Sequence, residues 1–157
     1  MKKIAVLLCL LLCLMLTGCN NSFAEEEYEL TSMIASDDRY AETDLNFSVL
    51  SWNEYQISAK RFDGRETLLT MPVETGFDIT VIVSFSRFSA GKAKLVLVDG
   101  NGNVSTIAEC SAEDSAMLME TRISLTKGDN KFKLVGYGCK KLNVLMTLDY
   151  DTVVVKQ

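Results

Sequence analysis

Phe77-Asp78-Ile79-Thr80-Val81-Ile82-Val83-Ser84-Phe85-Ser86 is the stretch that decides the fold. Phe77, Ile79, Val81, Val83 and Phe85 alternate with Asp78, Thr80, Ser84 and Ser86, and Ile82 alone breaks the polar set. Side chains along a strand point to opposite faces in turn, so this is a long strand with one buried and one solvated face. One solvated face is an antiparallel habit, because parallel sheets are covered on both sides.

The same period of two extends in both directions. Upstream, Phe47 and Val49 flank Ser48, and Tyr55, Ile57 and Ala59 alternate with Gln56, Ser58 and Lys60. Asp63-Gly64 reads as a turn between antiparallel strands, Leu68 to Met71 as the return, and Pro72 as its stop. Downstream, Lys92 to Val98 and Val104 to Glu109 flank a hairpin at Asp99-Gly100-Asn101-Gly102-Asn103. Ser111 and Asp114 are spaced as a capping pair, which predicts at most one short helix near 111–119. Thr121 to Thr126, Lys131 to Leu134 and Leu142 to Leu148 complete the set, and Val153 to Val155 is a candidate edge strand. A sheet with one apolar face buries it against another layer. With almost no helix to serve, that layer is a second sheet. The expected fold is all-β: a two-sheet antiparallel β-sandwich, jelly-roll or Ig-like.

The hairpin Ile123 to Leu134, with Leu125, Gly128, Asn130 and then an apolar strand, resembles a pattern near the end of galactose-binding-like jelly rolls. At the other end, Lys2 and Lys3 precede an unbroken apolar run from Ile4 to Leu16. A membrane-spanning helix needs about 20 apolar residues, so the run suits the core of a signal peptide. Leu16-Thr17-Gly18-Cys19 resembles the lipobox of bacterial lipoproteins. The resemblance implies cleavage before Cys19, a diacylglycerol thioether on Cys19, and a chain held on the bacterial cell membrane outside the cytoplasm. The expected organisation is residues 1–18 as signal peptide, 19–44 as lipidated acidic tether and 45–157 as the sandwich domain, with Tyr28 to Ile34 inside the tether fitting either a first strand or a helical turn that lies on the domain.

Charge divides along the same boundary. The 157-residue chain has a net charge of −5. Residues 20–44 hold eight acids and one base, whereas residues 45–157 hold 13 of each. A neutral domain argues against nucleic acid as a partner. An acidic tether of this length, if flexible, spans about 25–30 Å and is repelled by anionic head groups.

Catalytic chemistry finds little support. The chain has no histidine, which excludes Ser–His–Asp and Cys–His systems and histidine-bound zinc. No glycine-rich phosphate loop is present, and no cofactor or metal is called for. Asp149 and Asp151 share a strand face but read as solvated. Asp99, Asn101 and Asn103 open like a calcium loop, yet the sixth and twelfth positions are Val104 and Cys110 rather than glycine and glutamate. With Cys9 and Cys13 in the signal and Cys19 on lipid, Cys110 and Cys139 remain. They read equally as a disulfide, worth about 3.6 kcal/mol by loop entropy, and as two separate buried thiols.

Two sets of residues are candidates for binding. Trp52, Tyr55, Tyr137 and Tyr150 are the aromatics of a sugar-stacking platform, or simply core. Lys127, Lys131, Lys133, Lys140 and Lys141 suit an anionic polymer, or are a solvated face that guards against edge pairing. The expected function is a membrane-anchored, non-catalytic binding module for glycan, peptide or envelope components. The alternative is a structural lipoprotein that contacts a partner protein and takes no small ligand.

Overall fold

The computed structural model describes Phe23 and residues 25–149, except 87 and 115. Cys19, Tyr150 and the expected strand at 153–155 lie outside the described residues. Two short helices, α1 (Glu25–Glu29) and α2 (Thr31–Ala35), precede eight strands. The strands are β1 (Arg39–Thr43), β2 (Asn46–Val49), β3 (Glu54–Val73), β4 (Phe77–Phe85), β5 (Ala90–Val98), β6 (Val104–Ser111), β7 (Met117–Leu125) and β8 (Gly128–Asp149). All pairings are antiparallel. The fold is an all-β antiparallel sandwich, as the alternation at Phe77–Phe85 predicts.

The two layers are joined by hydrogen bonds because β3 and β8 run through both. The start of β3 pairs with β2 and with the end of β8, which pairs in turn with β4 and through it β7. This is the first layer. Further along, β3 pairs with β1 and with the start of β8, which pairs with β5 and through it β6. This is the second layer. Asp63-Gly64 is therefore not a turn, as the dipeptide suggests, but a bulged crossing point inside a 20-residue strand. Gly64 lies opposite Gly136 on β8. A Cβ on Gly64 would come within 2.5 Å of Tyr40, and one on Gly136 within 2.5 Å of the Phe62 ring. Only glycine lets the backbones approach so closely while both strands cross between layers. Pro72 is tolerated because β1 pairs with β3 only around residues 62–65, leaving that flank of β3 open.

The core lies between the layers. Ile79, Val81, Val83 and Phe85 meet Ile57, Val144, Met146 and Leu148 from the first layer and Leu95, Leu97, Phe132 and Leu134 from the second. Each such side chain, fully buried, contributes about 1.5–3 kcal/mol.

Two expectations about local structure are corrected. Ser111 and Asp114 do interact: the Asp114 carboxylate accepts from the Ser111 backbone N–H at 2.7 Å and its hydroxyl at 2.8 Å. They close a turn between β6 and β7 and not a helix, because β7 resumes at Met117. Helix occurs instead at α1 and α2. The acidic stretch read as a tether up to Asp44 is packed on the domain at Phe23 and from Glu25 onward, and of the two readings of Tyr28 to Ile34 the structure has the helical turn on the domain and not the strand. Phe23, Tyr28 and Ile34 form a second apolar cluster with Val96 and Val135 on the outer side of the second layer.

Among the described residues, Cys110 and Cys139 are free, buried thiols. Cys110 on β6 and Ala93 on β5 are partners, and β5 lies between β6 and β8, which carries Cys139. Two strand spacings, about 9.6 Å, exceed the roughly 7 Å limit for bridging Cα atoms. Burial pushes the Cys139 thiol up to about 12, and it donates to the Lys92 carbonyl at 3.0 Å.

Candidate binding face

Each layer has an outer face, and the two differ in chemistry. On the second layer, the residues opposite the core set are Lys92, Lys94 and Val96 on β5, Lys133 and Val135 on β8, and Arg65 on β3. α1, α2 and the turn that follows lie over them. Lys92 pairs with Glu25 at 3.1 Å and Glu29 at 2.8 Å. Lys133 pairs with Asp38 at 3.0 Å and donates to the Ser36 carbonyl at 2.7 Å. Arg65 pairs with Glu27 at 3.0 Å, both side chains being buried, and donates to the Asp37 carbonyl at 2.9 Å. Arg39 completes the cage around Glu27 at 2.9 Å.

Tyr28 sits at the centre. The ammonium groups of Lys92 and Lys94 lie 4.5 and 4.2 Å from its ring centroid. Its hydroxyl donates to Glu109 at 2.8 Å. Burial, then the Glu109 hydrogen bond, drives the phenol pKa far up. The Glu29 carboxyl is held below its ordinary value by the hydrogen bond from Lys92. Burial opposes ionisation of Asp38, but the Thr67 N–H and Lys133 prevail and hold it low as well. The acidity of residues 20–44 therefore neutralises the cations of this sheet face.

On the first layer, the outward residues form cross-strand rows. Ser48, Gln56, Leu145, Ser84 and Leu118 make one row across β2, β3, β8, β4 and β7. Asn46, Ser58 and Asn143 make a second, and Glu54, Thr147, Ile82 and Glu120 a third. The middle of the face is uncharged amide, hydroxyl and aliphatic side chain, half-buried by its neighbours. Gln56 reaches Asn143 with a long 3.5 Å amide contact. Charges lie at the rim, where Asp78 receives Ser124 at 2.6 Å and Arg122 at 3.1 Å. The Ser124 hydroxyl, then Arg122, keeps the Asp78 carboxyl below its usual value. A groove of about 430 Å³ opens at one edge, lined by Asn46, Ser58, Lys60 and Lys141 among others. Lys141 has φ of 59°, a left-handed conformation uncommon for a residue with a Cβ.

The expected aromatic and lysine sites are not brought together. Trp52 is 59% exposed in the β2–β3 connection, at the end of the first layer. Tyr55 is a core residue, buried and stacked on Phe47 with centroids 5.6 Å apart. Its ring faces inward because Tyr55 shares the strand parity of Ile57. Tyr137 belongs to the second layer, opposite Lys92. Lys133 is 1% exposed beneath the α2–β1 connection, so it is no surface lysine. Lys131 is exposed near the far end of β8, opposite Thr70. Gln56, Ser58, Asn143 and Thr147 were not singled out by sequence. Their signal is the run of neutral polar residues at the outward positions Gln56 and Ser58 of β3 and Asn143 and Thr147 of β8, broken only by Leu145.

Among the described residues, no group of three histidine, cysteine, aspartate or glutamate side chains is placed to hold a metal. No described helix is long and apolar enough to cross a membrane. No protein-family model and no curated protein matches the sequence. Solved structures give distant likenesses. A carbohydrate-binding module of Cellvibrio mixtus lichenase 5A, in complex with cellotriose, has 7% identity and a TM-score of 0.41, over 72% of this chain and 90% of that one. A β-(1,4)-mannanase of Podospora anserina with a carbohydrate-binding module has 15% identity and a TM-score of 0.39, over 74% and 27%. Infectious bursal disease virus supplies a third at 13% and 0.38, over 74% and 34%. Likenesses this remote carry no inference about a ligand.

Proposed function

We propose that the chain is a lipid-anchored, non-catalytic module that binds a neutral glycan on the outer face of the first layer. The observation that carries this reading is the composition of that face. Gln56, Ser58, Asn143, Thr147 and Ser84 offer donors and acceptors without charge, and Leu145 and Ile82 lie among them. Sugars present alternating hydroxyls and apolar C–H faces, so a ligand of that class matches both. Trp52 at the end of the layer supplies an exposed ring of the kind that packs on a pyranose. Rigid strands hold all of these at fixed spacing. The anchor rests on Lys2, Lys3, the apolar run and the Leu16-Thr17-Gly18-Cys19 motif.

The test is retention on a panel of immobilised neutral polysaccharides, with Gln56→Ala/Asn143→Ala and Trp52→Ala beside the wild type. Retention of wild type and its loss in the double variant, with unchanged melting, supports the reading. Equal retention of all three contradicts it. For the anchor, Cys19→Ala is expected to leave the membrane fraction of a bacterial host, and a variant that stays there contradicts lipidation.

A second reading is favoured by one feature. Val49, Leu50 and Trp52, interrupted only by Ser51, are large apolar residues exposed at 64%, 51% and 59%. Such a tip fits a protein partner, as expected of a structural lipoprotein. Binding of an envelope protein that Leu50→Ser abolishes, without any glycan retention, would favour it.

A further inference from the structure

We propose that α1 and α2 form the surface on which the anchored chain lies against the bilayer, so that the first layer's outer face points away from the membrane. The inference rests on the lipidation reading and adds an orientation to it. Phe23 is already buried against the second layer, with Tyr28, Ile34, Val96 and Val135. Only three residues, Asn20, Asn21 and Ser22, separate it from Cys19. A chain reaches at most ~3.6 Å per residue, so the Cα of Phe23 lies within about 14 Å of the Cα of the lipidated Cys19. The polar head-group layer is itself roughly 5–8 Å deep on each side of the hydrocarbon. A leash this short brings the element carrying Phe23 down to the head groups, whatever its conformation.

The side chains on that element fit the contact. Leu30 and Met33 are 46% and 39% exposed, and both belong to the α1–α2 pair. Glu25 and Glu29 are engaged by Lys92, and Glu27 by Arg39 and Arg65, so three of the four acids of α1 are ion-paired with cations of the domain. Two apolar side chains add too little area to hold a protein on a bilayer by themselves. They orient a molecule that the lipid already retains. Because α1 and α2 cover the second layer, the opposite side of the sandwich faces outward.

The experiment uses lipidated full-length protein, recovered from bacterial membranes and reconstituted in phosphatidylethanolamine–phosphatidylglycerol vesicles with brominated acyl chains. A single tryptophan is placed at Met33→Trp or Ser58→Trp, each with Trp52→Phe, and thermal melting confirms that both fold. Emission from Met33→Trp is expected to fall strongly with brominated lipid, while Ser58→Trp is unaffected. Leu30→Ser in the Met33→Trp protein should reduce that quenching while the protein stays in the membrane fraction. Equal quenching at both positions, or none at position 33 in membrane-bound protein, overturns the orientation and leaves the anchor standing. A Met33→Trp probe shielded from aqueous iodide yet unquenched by lipid assigns the surface to another protein and also overturns it. Unlipidated wild type in the soluble fraction overturns the anchor and the orientation together.

Discussion

The outer faces of the two layers begin from the same strand physics and end in opposite states. On the second layer, β5 and β8 point Lys92, Lys94 and Lys133 outward, and these cations are closed over by an acidic segment from the same chain. On the first layer, the central outward positions of β3 and β8 are neutral, and Gln56, Ser58, Asn143 and Thr147 stay half-exposed. The comparison teaches that solvated-face residues in a strand pattern fall into two kinds. Charged ones here serve the fold through a distant partner, and uncharged ones stay open to solvent, where the proposed glycan site would form.

The largest test of this contrast is Glu27→Ala. Glu27 is the buried carboxylate that satisfies Arg65, and removing it leaves a buried guanidinium unpaired. Breaking a buried pair costs about 3–5 kcal/mol, so chemical denaturation should show a large fall in stability. Gln56→Ala on the other face should change stability by less than about 0.5 kcal/mol, the usual range for surface positions away from special features. Similar losses from both would erase the distinction between the faces.

Acid should sharpen it next. The folded-state values of Glu29 and Asp38 are depressed from ordinary values of 4.5 and 3.8. Their stabilisation is therefore fully present above those values and is lost as pH falls through the depressed ones. The N-terminal segment should loosen below about pH 4, read as faster amide hydrogen exchange over residues 25–38 than over β4 and β8. Uniform protection down to the global acid transition would contradict a charge-held segment. A smaller effect is expected from Tyr28→Phe, which removes the hydroxyl bonded to Glu109 and keeps the ring under Lys92 and Lys94. Its cost should be near 1 kcal/mol, the typical worth of one hydrogen bond. A loss as large as that of Glu27→Ala would place the energy of the cover in Tyr28 rather than in its ion pairs.

Much of the sandwich was legible because period two is local. Phe77 to Phe85 needs no knowledge of its neighbours to be assigned a strand and an inner face. The cover was only half legible, with Tyr28 to Ile34 reading as a strand or as a helical turn on the domain, for the opposite reason. Helices of five residues carry little periodicity, and burial of Tyr28 and Ile34 depends on a sheet more than sixty residues downstream. The charge division at residue 44 was visible, but sequence alone does not say whether acids repel a membrane or pair with lysines. Lys133 shows the same limit. Alternation in Lys131-Phe132-Lys133-Leu134 correctly turns it away from the core, and only the overlying segment buries it. Asp63-Gly64 failed because a glycine pair at a strand crossing has the same dipeptide signature as a hairpin turn. On the candidate site, Trp52 stayed open in the sequence between a stacking ring and a core residue, and its exposure is seen only in the fold, whereas Gln56 and Asn143 emerge only once β3 and β8 are set side by side.

The measurement that bears most directly on the two-face account is backbone amide chemical-shift mapping during titration with soluble neutral oligosaccharides. The account predicts shifts at Gln56, Ser58, Asn143, Leu145, Thr147 and the Trp52 indole, with Tyr28, Lys92 and Lys133 unmoved. Shifts confined to the covered face, or no shift at Gln56 and Asn143 with any sugar that binds, would contradict it.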